Sequence, residues 1–416
     1  MGNHFITNIN IKKLRHLENI NIDLDKENKK HLILTGKNGA GKTTTLLALK
    51  DDLRAIQEGL SSFVKMRKED LNRLKNQLNK ASSDDEIKKL EASIEGCSND
   101  IRRHSCIELD LEFNTDVSEL DNVYKLGNFI LAYYGSNRQI KVETPKGVEK
   151  IELKLRYSIE DKPSSIFVKY LVDLKTQQSF ARNENENDVV ENIEEWFKRL
   201  EKALGLILDD KSVKLKFDYR NYNFKIYQEG REPFSFNDLS DGYSSILSIL
   251  SDLILRMDKE RASREKNYAF DLEGIVLIDE IETHLHIELQ KVILPFLSEF
   301  FPNLQFIVTT HSPFVLSSVN NAVIYDLEKN LRIENLSNYS YEGIVECYFE
   351  VDNYSEELKK KIEEYRELVF KNNLSDDERA RRAELRIELK NAANDLAGEV
   401  KAEFNRIELE RKSYND

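Results

Sequence analysis

The chain has 416 residues, of which 40% are hydrophobic and 33% are charged, and its formal net charge is −13. This composition allows one large core or two moderate ones, and it excludes a generally basic nucleic-acid-binding surface while leaving local basic stripes open. No apolar run reaches the roughly 18 to 20 residues of a membrane helix, the N-terminus lacks a signal-peptide pattern, and the three cysteines are scattered, so a cytoplasmic protein without disulfides or zinc is expected.

The N-terminal segment predicts three strands. Apolar and polar residues alternate from Ile9 to Leu14 and again from Ile20 to Leu24, which is typical of two half-buried strands joined around LRHLEN. The run HLILTG is short, apolar and ends in glycine. This is the pattern of a buried parallel strand that leads into a phosphate-binding loop.

A helical hairpin is predicted next. Apolar residues recur every three or four positions from Lys42 to about Lys80, and the same spacing resumes after Ser83 and Glu86, which fit a capping box. Two antiparallel arms are therefore expected as an insertion over residues 51–104. The outgoing arm is mostly basic and the returning arm mostly acidic. This favours two solvated faces that partly neutralise each other, and the alternative is an arm that contacts DNA or a partner protein.

Residues 105–235 are expected to complete the sheet and to form a helical lobe. The segments CIELDLEF, NFILAYYG and KIELKLRYSI predict strands, IFVKYLVDL and the segment around Trp196 predict helices, and KLKFDY with NFKIYQEG predicts a hairpin. Residues 236–337 carry further motifs of the core. The strongly charged segment 338–416 contains a second capping-box pattern at Ser375 and Glu378, which predicts a helical C-terminal extension.

A phosphate-binding loop is predicted where the first buried strand meets the first helix, because the sequence GKNGAGKT fits the GxxxxGK[ST] pattern. The glycines let backbone amides face a phosphate, the lysine reaches the β- and γ-phosphates, and the threonine hydroxyl holds magnesium. The candidate nucleotide-binding residues are Gly36, Asn38, Gly39, Gly41, Lys42, Thr43 and Thr44.

Two later apolar strands also end in polar residues. The run GIVLI is followed by Asp279 and Glu280: the first can hold magnesium through water, and the second can polarise the attacking water as a general base. The run FIVTTHS carries a single histidine, His311, just beyond its strand. Its position after the acidic strand favours a γ-phosphate sensor over a structural histidine. Lys42, Glu280 and His311 are thus the candidate catalytic residues.

The segment LSDGYSS precedes an apolar helix. Its features fit an anion-binding helix start, with Ser240 as a hydroxyl donor and Gly242 permitting close backbone approach. An ordinary helix cap is the alternative interpretation.

Taken together and in this order, the motifs resemble those of the ABC-type ATPases of the SMC, RecF and OLD branch. The resemblance implies an α/β P-loop NTPase with a mixed sheet, in which the LSGGQ-like segment of one subunit closes over ATP bound by another. LSDGY departs from LSGGQ at its third and fifth residues, which argues against a transporter-type ATPase. In IETHLHIELQ, the D-loop implied by the resemblance, Leu285 and His286 stand where transporters have Leu-Asp. The resemblance also implies a Q-loop role for Gln139, with Asn137 as the alternative, so the implied magnesium ligands are Thr43, Asp279 and Gln139.

The short arm and phrases such as LSDGYSSIL further resemble ATPase subunits of bacterial anti-phage systems, first the PARIS AriA family and second the Septu PtuA family. That resemblance implies a magnesium-dependent ATPase that forms homodimers, or a hexamer built as a trimer of dimers, and controls a separate nuclease of TOPRIM or HNH type. Two alternatives stay open. One is a RecF- or SMC-like DNA repair or recombination ATPase that binds DNA through the basic stripe from Lys65 to Lys80, or through Lys12, Lys13 and Arg15. The other is a scaffold that hydrolyses ATP very slowly.

Overall fold

The computed structural model describes residues 4–138, 141–258, 272–333, 336, 344, 356–371, 373–395 and 406–408. The chain divides into two compact units, Met1–Tyr339 and Ser340–Asp416. In the parts of the chain that are described, no helix is both long and apolar enough to span a membrane.

The first unit is built around a six-stranded mixed sheet with the order β11-β10-β3-β9-β8-β5. Its strands are β3 (His31–Thr35), β5 (Phe129–Tyr134), β8 (Glu273–Ile278), β9 (Leu304–Thr309), β10 (Ala322–Asp326) and β11 (Leu331–Ile333). All neighbouring pairs are parallel except β10 and β11. Strands β3 and β9 are buried at every position, which agrees with the apolar runs that predicted them. Because β3, β9 and β8 are adjacent and parallel, the residues that follow them meet at one edge of the sheet.

A three-stranded antiparallel sheet with the order β2-β1-β4 lies beside the central one. Its strands are β1 (Ile6–Leu14), β2 (Leu17–Asp23) and β4 (Leu109–Phe113). The side chain of Gln305 on β9 joins the two sheets, since it accepts from the Ile6 amide at 2.8 Å and donates to the Ile6 carbonyl at 2.9 Å. The buried residues of β1 and β2 form one hydrophobic core with helix α1 (Lys42–Glu58). The two predicted N-terminal strands are confirmed.

The predicted hairpin is present, but its outgoing arm is not one continuous helix. Helix α1 ends at Gly59, whose φ of 71° is left-handed, and helix α2 (Ser61–Leu78) then begins. The amide and hydroxyl of Ser61 both donate to Asp121. The returning arm is helix α3 (Asp84–His104), and Ser83 caps it by accepting from the Glu86 amide. The helical pattern predicted from Lys42 to about Lys80 is confirmed, and it is divided into two helices because Gly59 readily adopts the left-handed conformation that ends a helix.

The strand predicted from KIELKLRYSI was also wrong. Residues 150–159 form no strand, and several of their backbone amides donate to side chains. The Ile151 amide donates to Asp173, the Lys154 amide to the Tyr157 hydroxyl, and the Ile159 amide to Gln57. Alternation of apolar and polar residues is compatible with an extended segment, but a strand also needs a neighbour along its length.

The helical lobe agrees with its prediction. It contains α4 (Val117–Lys125), α5 (Phe167–Asn183), α6 (Asn187–Ile207), which buries Trp196, and the hairpin of β6 (Lys214–Asp218) and β7 (Asn223–Tyr227). The unit also contains α7 (Asp241–Met257), α8 (Ile287–Phe300) and the short α9 (Pro313–Leu316).

The second unit contains α10 (Glu356–Phe370) and α11 (Asp376–Asp395). Its small core includes Tyr365, Leu385 and Leu389. The predicted capping box is present: the Glu378 amide donates to the Ser375 hydroxyl, and the Ser375 amide donates to the Glu378 carboxylate. Helices therefore form in the segment for which the sequence predicted them.

His31, at the start of β3, makes the stability of the fold depend on pH. Its Nδ1 accepts from the Phe306 amide at 3.1 Å, and burial, together with Lys29 and Lys30, lowers its pKa from 6.5 to about 4. Below pH 6.5 the unfolded chain takes up a proton that the folded chain does not take up until about pH 4. We expect this site to lower the free energy of unfolding by about 3 kcal/mol in total as the pH falls through that interval. Denaturant titrations at several pH values should show it, and His31→Gln should lack this part of the decrease.

Candidate nucleotide-binding site

The glycine-rich loop lies between β3 and α1, as the motif requires. Gly36, Gly39 and Gly41 have φ values of 126°, 88° and 96°, which are accessible mainly to glycine. The Lys42 ammonium is buried and donates to the carbonyls of Gly36 at 2.8 Å and Lys37 at 3.1 Å. Burial lowers the pKa of Lys42, against the opposing effect of nearby carboxylates led by Glu282. The loop therefore curls around a partly desolvated cation, which suits the binding of a phosphate chain.

The acidic end of β8 faces this loop. The Thr43 hydroxyl donates to Asp279 Oδ1 at 3.1 Å, and the Thr309 hydroxyl donates to the same oxygen at 2.7 Å. A hydroxyl and a buried carboxylate are hard oxygen ligands, so Thr43 and Asp279 fit a magnesium ion whose other ligands are water and phosphate oxygens. Gln139, the third predicted magnesium ligand, lies outside the described residues. In the part of the chain that is described, no cluster of three or more histidine, cysteine or acidic side chains could hold a metal.

Glu280 follows directly, in an unusual conformation. Its φ is 45°, a left-handed value that is uncommon for a residue with a side chain. The Glu280 amide donates to the Thr309 hydroxyl at 2.7 Å, and one of its carboxylate oxygens accepts from the Thr283 hydroxyl at 3.2 Å. Thr309 therefore orders both acids, since its hydroxyl accepts from the Glu280 backbone while donating to Asp279.

His311 lies just beyond the neighbouring strand β9. Its amide donates to Glu282 Oε1 at 2.6 Å, while Glu282 Oε2 is buried without a hydrogen-bond partner. Burial and the Lys42 cation lower the pKa of His311, against the opposing effect of Glu282 and Glu280, which favours the neutral imidazole. A neutral imidazole can donate one hydrogen bond, which suits contact with a phosphate oxygen.

Ser240 is the first residue before α7 and is exposed, and its side chain forms no capping hydrogen bond. Gly242 lies against the His284 backbone, where an added Cβ would come within 2.6 Å of the His284 carbonyl oxygen. Only glycine fits there without a backbone shift. The helix start and the segment after Glu280 are thus in contact within one chain, while the role of Ser240 toward a second chain stays a prediction.

Arg138 is the residue that sequence analysis missed. It is 4% exposed, and its guanidinium donates to the Ser245 hydroxyl at 3.0 Å on α7. It also donates to four backbone carbonyls, those of Gly135, Asp279, Glu280 and Ile281. Burial lowers its pKa to about 10, so it stays charged at neutral pH. A lone arginine in SNRQ gives no sequence signal, because its partners are distant backbone carbonyls.

A GxxxxGK[ST] loop after one buried strand, with a carboxylate after another strand of the same mixed sheet, is the arrangement that characterises the α/β P-loop fold. The predicted α/β P-loop fold is confirmed.

The sequence is similar to proteins named as Septu and retron components. Residues 163–317 match the family model described as "AAA domain, putative AbiEii toxin, Type IV TA system". The chain is 28% identical over 332 residues to the Septu protein PtuA of Bacillus mycoides (strain KBAB4), covering 78% of this chain and 41% of that protein. It is 34% identical over 150 residues to the Retron Ec83 probable ATPase of Escherichia coli, covering 35% of this chain and 27% of that protein. The Retron Vc95 probable ATPase of Vibrio cholerae serotype O1 biovar El Tor is 40% identical over 99 residues, covering 24% of this chain and 19% of that protein.

The chain therefore spans less than half the length of each of these relatives. Its similarity to Septu PtuA agrees with the second of the two expected defence families, and the resemblance to PARIS AriA stays a prediction. Among solved structures, an SMC head bound to the C-winged helix domain of ScpA has a TM-score of 0.38 and 12% identity, covering 81% of this chain and 100% of that one.

Proposed function

We propose that this chain binds and hydrolyses ATP, with magnesium, as the ATPase subunit of a bacterial anti-phage defence system. The observation that carries the proposal is the 3.1 Å contact between the Thr43 hydroxyl and Asp279 Oδ1. This contact places the loop that would bind the phosphates next to the two acids that would hold magnesium and accept a proton from the attacking water. The similarity to Septu PtuA supports the defence role.

Each residue has a chemical role in this proposal. Lys42 and the loop amides would bind the β- and γ-phosphates, and Thr43 with Asp279 would hold magnesium. Bound magnesium would supply positive charge that offsets the charge of the phosphate oxygens. Glu280 would accept a proton from the attacking water, and neutral His311 would donate a hydrogen bond to the γ-phosphate.

The site is proposed to be completed by a second copy of the chain. Ser240 is exposed at the start of α7, and its hydroxyl is not used in capping that helix, so it could donate to a triphosphate held by a partner. Gly242 would keep the helix start close to the segment after Glu280. The homodimer is suggested by the resemblance to the ABC-type ATPases, and a hexamer built as a trimer of dimers is suggested by the resemblance to the PARIS and Septu families.

The output is proposed to be control of a separate nuclease of TOPRIM or HNH type. This part rests on the resemblance to PARIS and Septu. ATP-dependent closing and opening of the dimer would change the assembly that binds the nuclease.

Phage plating on the native host tests the proposal. Lys42→Ala should abolish protection, because the loop loses the cation that binds the phosphates. The matched control is Lys37→Ala in the same loop, whose exposed ammonium pairs with Glu328 and should be dispensable. Phosphate release by the purified chains would be measured in parallel. ATP hydrolysis without any effect of Lys42→Ala on plating would contradict the defence role, and the absence of hydrolysis by the wild-type chain would contradict the enzymatic one.

A further inference from the structure

A groove of about 420 Å³ lies between strand β4 and helix α2. It is closed on its other sides by α1 and by the start of α4. Its floor is apolar and includes Leu53 and Val64, whereas its rim carries several carboxylates. The groove thus combines an apolar floor with a charged rim.

One wall of the groove is a sheet edge. Among the described strands β4 pairs only with β1, in a register that places Leu109 opposite Ile11 and Leu111 opposite Ile9. The Lys12 amide donates to the Glu108 carbonyl at 2.9 Å, so the alternation of an antiparallel pair turns the backbone groups of Leu109 and Leu111 away from β1.

The contacts of Lys68 on α2 show which way the backbone groups of β4 that do not pair with β1 point. Its ammonium donates to the Leu109 carbonyl at 2.6 Å, which shows that the outward backbone groups of β4 face α2 across the groove. The same ammonium pairs with Asp52 at 2.6 Å and with Asp110 at 3.3 Å. Lys68 therefore closes one end of the edge, while the backbone groups of Leu111 point into the open part.

The charge of the groove is negative. Five carboxylates line it, those of Asp52, Glu69, Asp110, Glu112 and Asp116, against the two ammonium groups of Lys65 and Lys68. Lys65 reaches Asp116 at 3.8 Å. Within the described part of the chain, the carboxylates of Glu69 and Glu112 form no ion pair. An occupant with positive charge would satisfy both.

We propose that this groove binds an extended, basic segment of a partner protein, which adds to the sheet as a strand beside β4. Neighbouring strands place their side chains on shared faces. Asp110 already pairs with Lys12 at 2.7 Å and with Lys68 at 3.3 Å. The residue of the segment beside Glu112 should then be lysine or arginine, and those beside Leu111 and Phe113 should be apolar. The expected ligand is therefore a segment in which basic and apolar residues alternate. The proposal does not depend on ATP hydrolysis.

Fluorescence anisotropy with the full-length chain and a labelled peptide, Val-Lys-Val-Lys-Val-Lys-Val, tests the proposal. Two comparison peptides are needed: one with alternate backbone amides N-methylated, and one with glutamate in place of lysine. The parent peptide should bind at least about tenfold more tightly than either, because each comparison removes backbone donors or positive charge. Equal binding of the N-methylated peptide, or no binding of the parent, would overturn the proposal.

Variants of the chain locate the site. Leu111→Pro removes the outward N–H at an edge position where proline is tolerated, and it should abolish binding, whereas Leu111→Ala should retain it. Glu69→Lys combined with Glu112→Lys should weaken binding at least about tenfold without altering the backbone. If Leu111→Pro instead dissociates a dimer of the chain in sedimentation experiments, the occupant is a second copy and the proposal is wrong.

Discussion

Replacing Glu280 by glutamine should lower the rate constant of ATP hydrolysis by about 10²- to 10⁴-fold, the usual contribution of a general base, and leave ATP binding nearly unchanged. The substitution preserves size, and the amide oxygen can still accept from the Thr283 hydroxyl, as the carboxylate does at 3.2 Å. The backbone bond from residue 280 to Thr309 is unaffected. Only the ability to take a proton from water is removed, so the loss should fall on the chemical step.

Single-turnover phosphate release and equilibrium binding of a fluorescent ATP analogue would separate the two effects. Glu288→Gln is a suitable control, because Glu288 is an exposed residue in the first turn of α8 that pairs with Lys291. Equal rates for wild type and Glu280→Gln would show that Glu280 is not the base and would favour the scaffold interpretation, in which ATP is bound but scarcely hydrolysed.

Local sequence was sufficient to predict where most of the candidate nucleotide-binding residues lie in the fold. The glycine-rich loop, the acids after β8 and the histidine after β9 each follow a short apolar run, and such runs are recognisable without knowledge of their neighbours. The sequence could not show that Thr309 would join Asp279 to the Glu280 backbone. That contact depends on the pairing of β8 with β9, in which Ile278 lies opposite Val308.

Two features of the fold that the sequence analysis missed also depend on contacts between distant segments or on context that local sequence does not show. In KIELKLRYSI the alternation predicted a strand, but no neighbouring strand pairs with the segment, and side chains such as Asp173 bond its amides instead. The sequence shows a glycine at position 59 but does not show that a helix ends there, since an isolated glycine is tolerated inside many helices. That β4 pairs only with β1 among the described strands is likewise a property of sheet order, which no local pattern specifies.

Arg138 illustrates the limit most clearly, because its five partners come from three separate segments of the chain. It binds the loop after β5 at Gly135, the acidic loop at Asp279, Glu280 and Ile281, and helix α7 at Ser245. These contacts hold the peptide groups on both sides of Glu280, whose left-handed backbone costs about 1–2 kcal/mol for a residue with a side chain. Arg138 therefore acts as a positioning residue for the acidic loop.

Arg138→Ala should lower the free energy of unfolding by at least about 3 kcal/mol, because several buried carbonyls lose a charged donor at once. Arg138→Lys should fold better, since it keeps the charge. An ammonium cannot reproduce the planar five-donor geometry, however, so kcat should fall at nearly unchanged KM as Glu280 becomes less well placed. Denaturant titration measures the first effect and steady-state phosphate release the second.

The pairing of Arg138 with Ser245 can be tested separately through a double-mutant cycle with Ser245→Ala. If Arg138 joins α7 to the acidic loop, the two substitutions should be non-additive by about 1 kcal/mol, as expected for residues in direct contact. A purely structural arginine would change the free energy of unfolding and leave kcat of the lysine variant at the wild-type value. That result would show that Arg138 does not position Glu280. The acidic loop of the lysine variant would then keep its active conformation without the arginine contacts to the loop carbonyls.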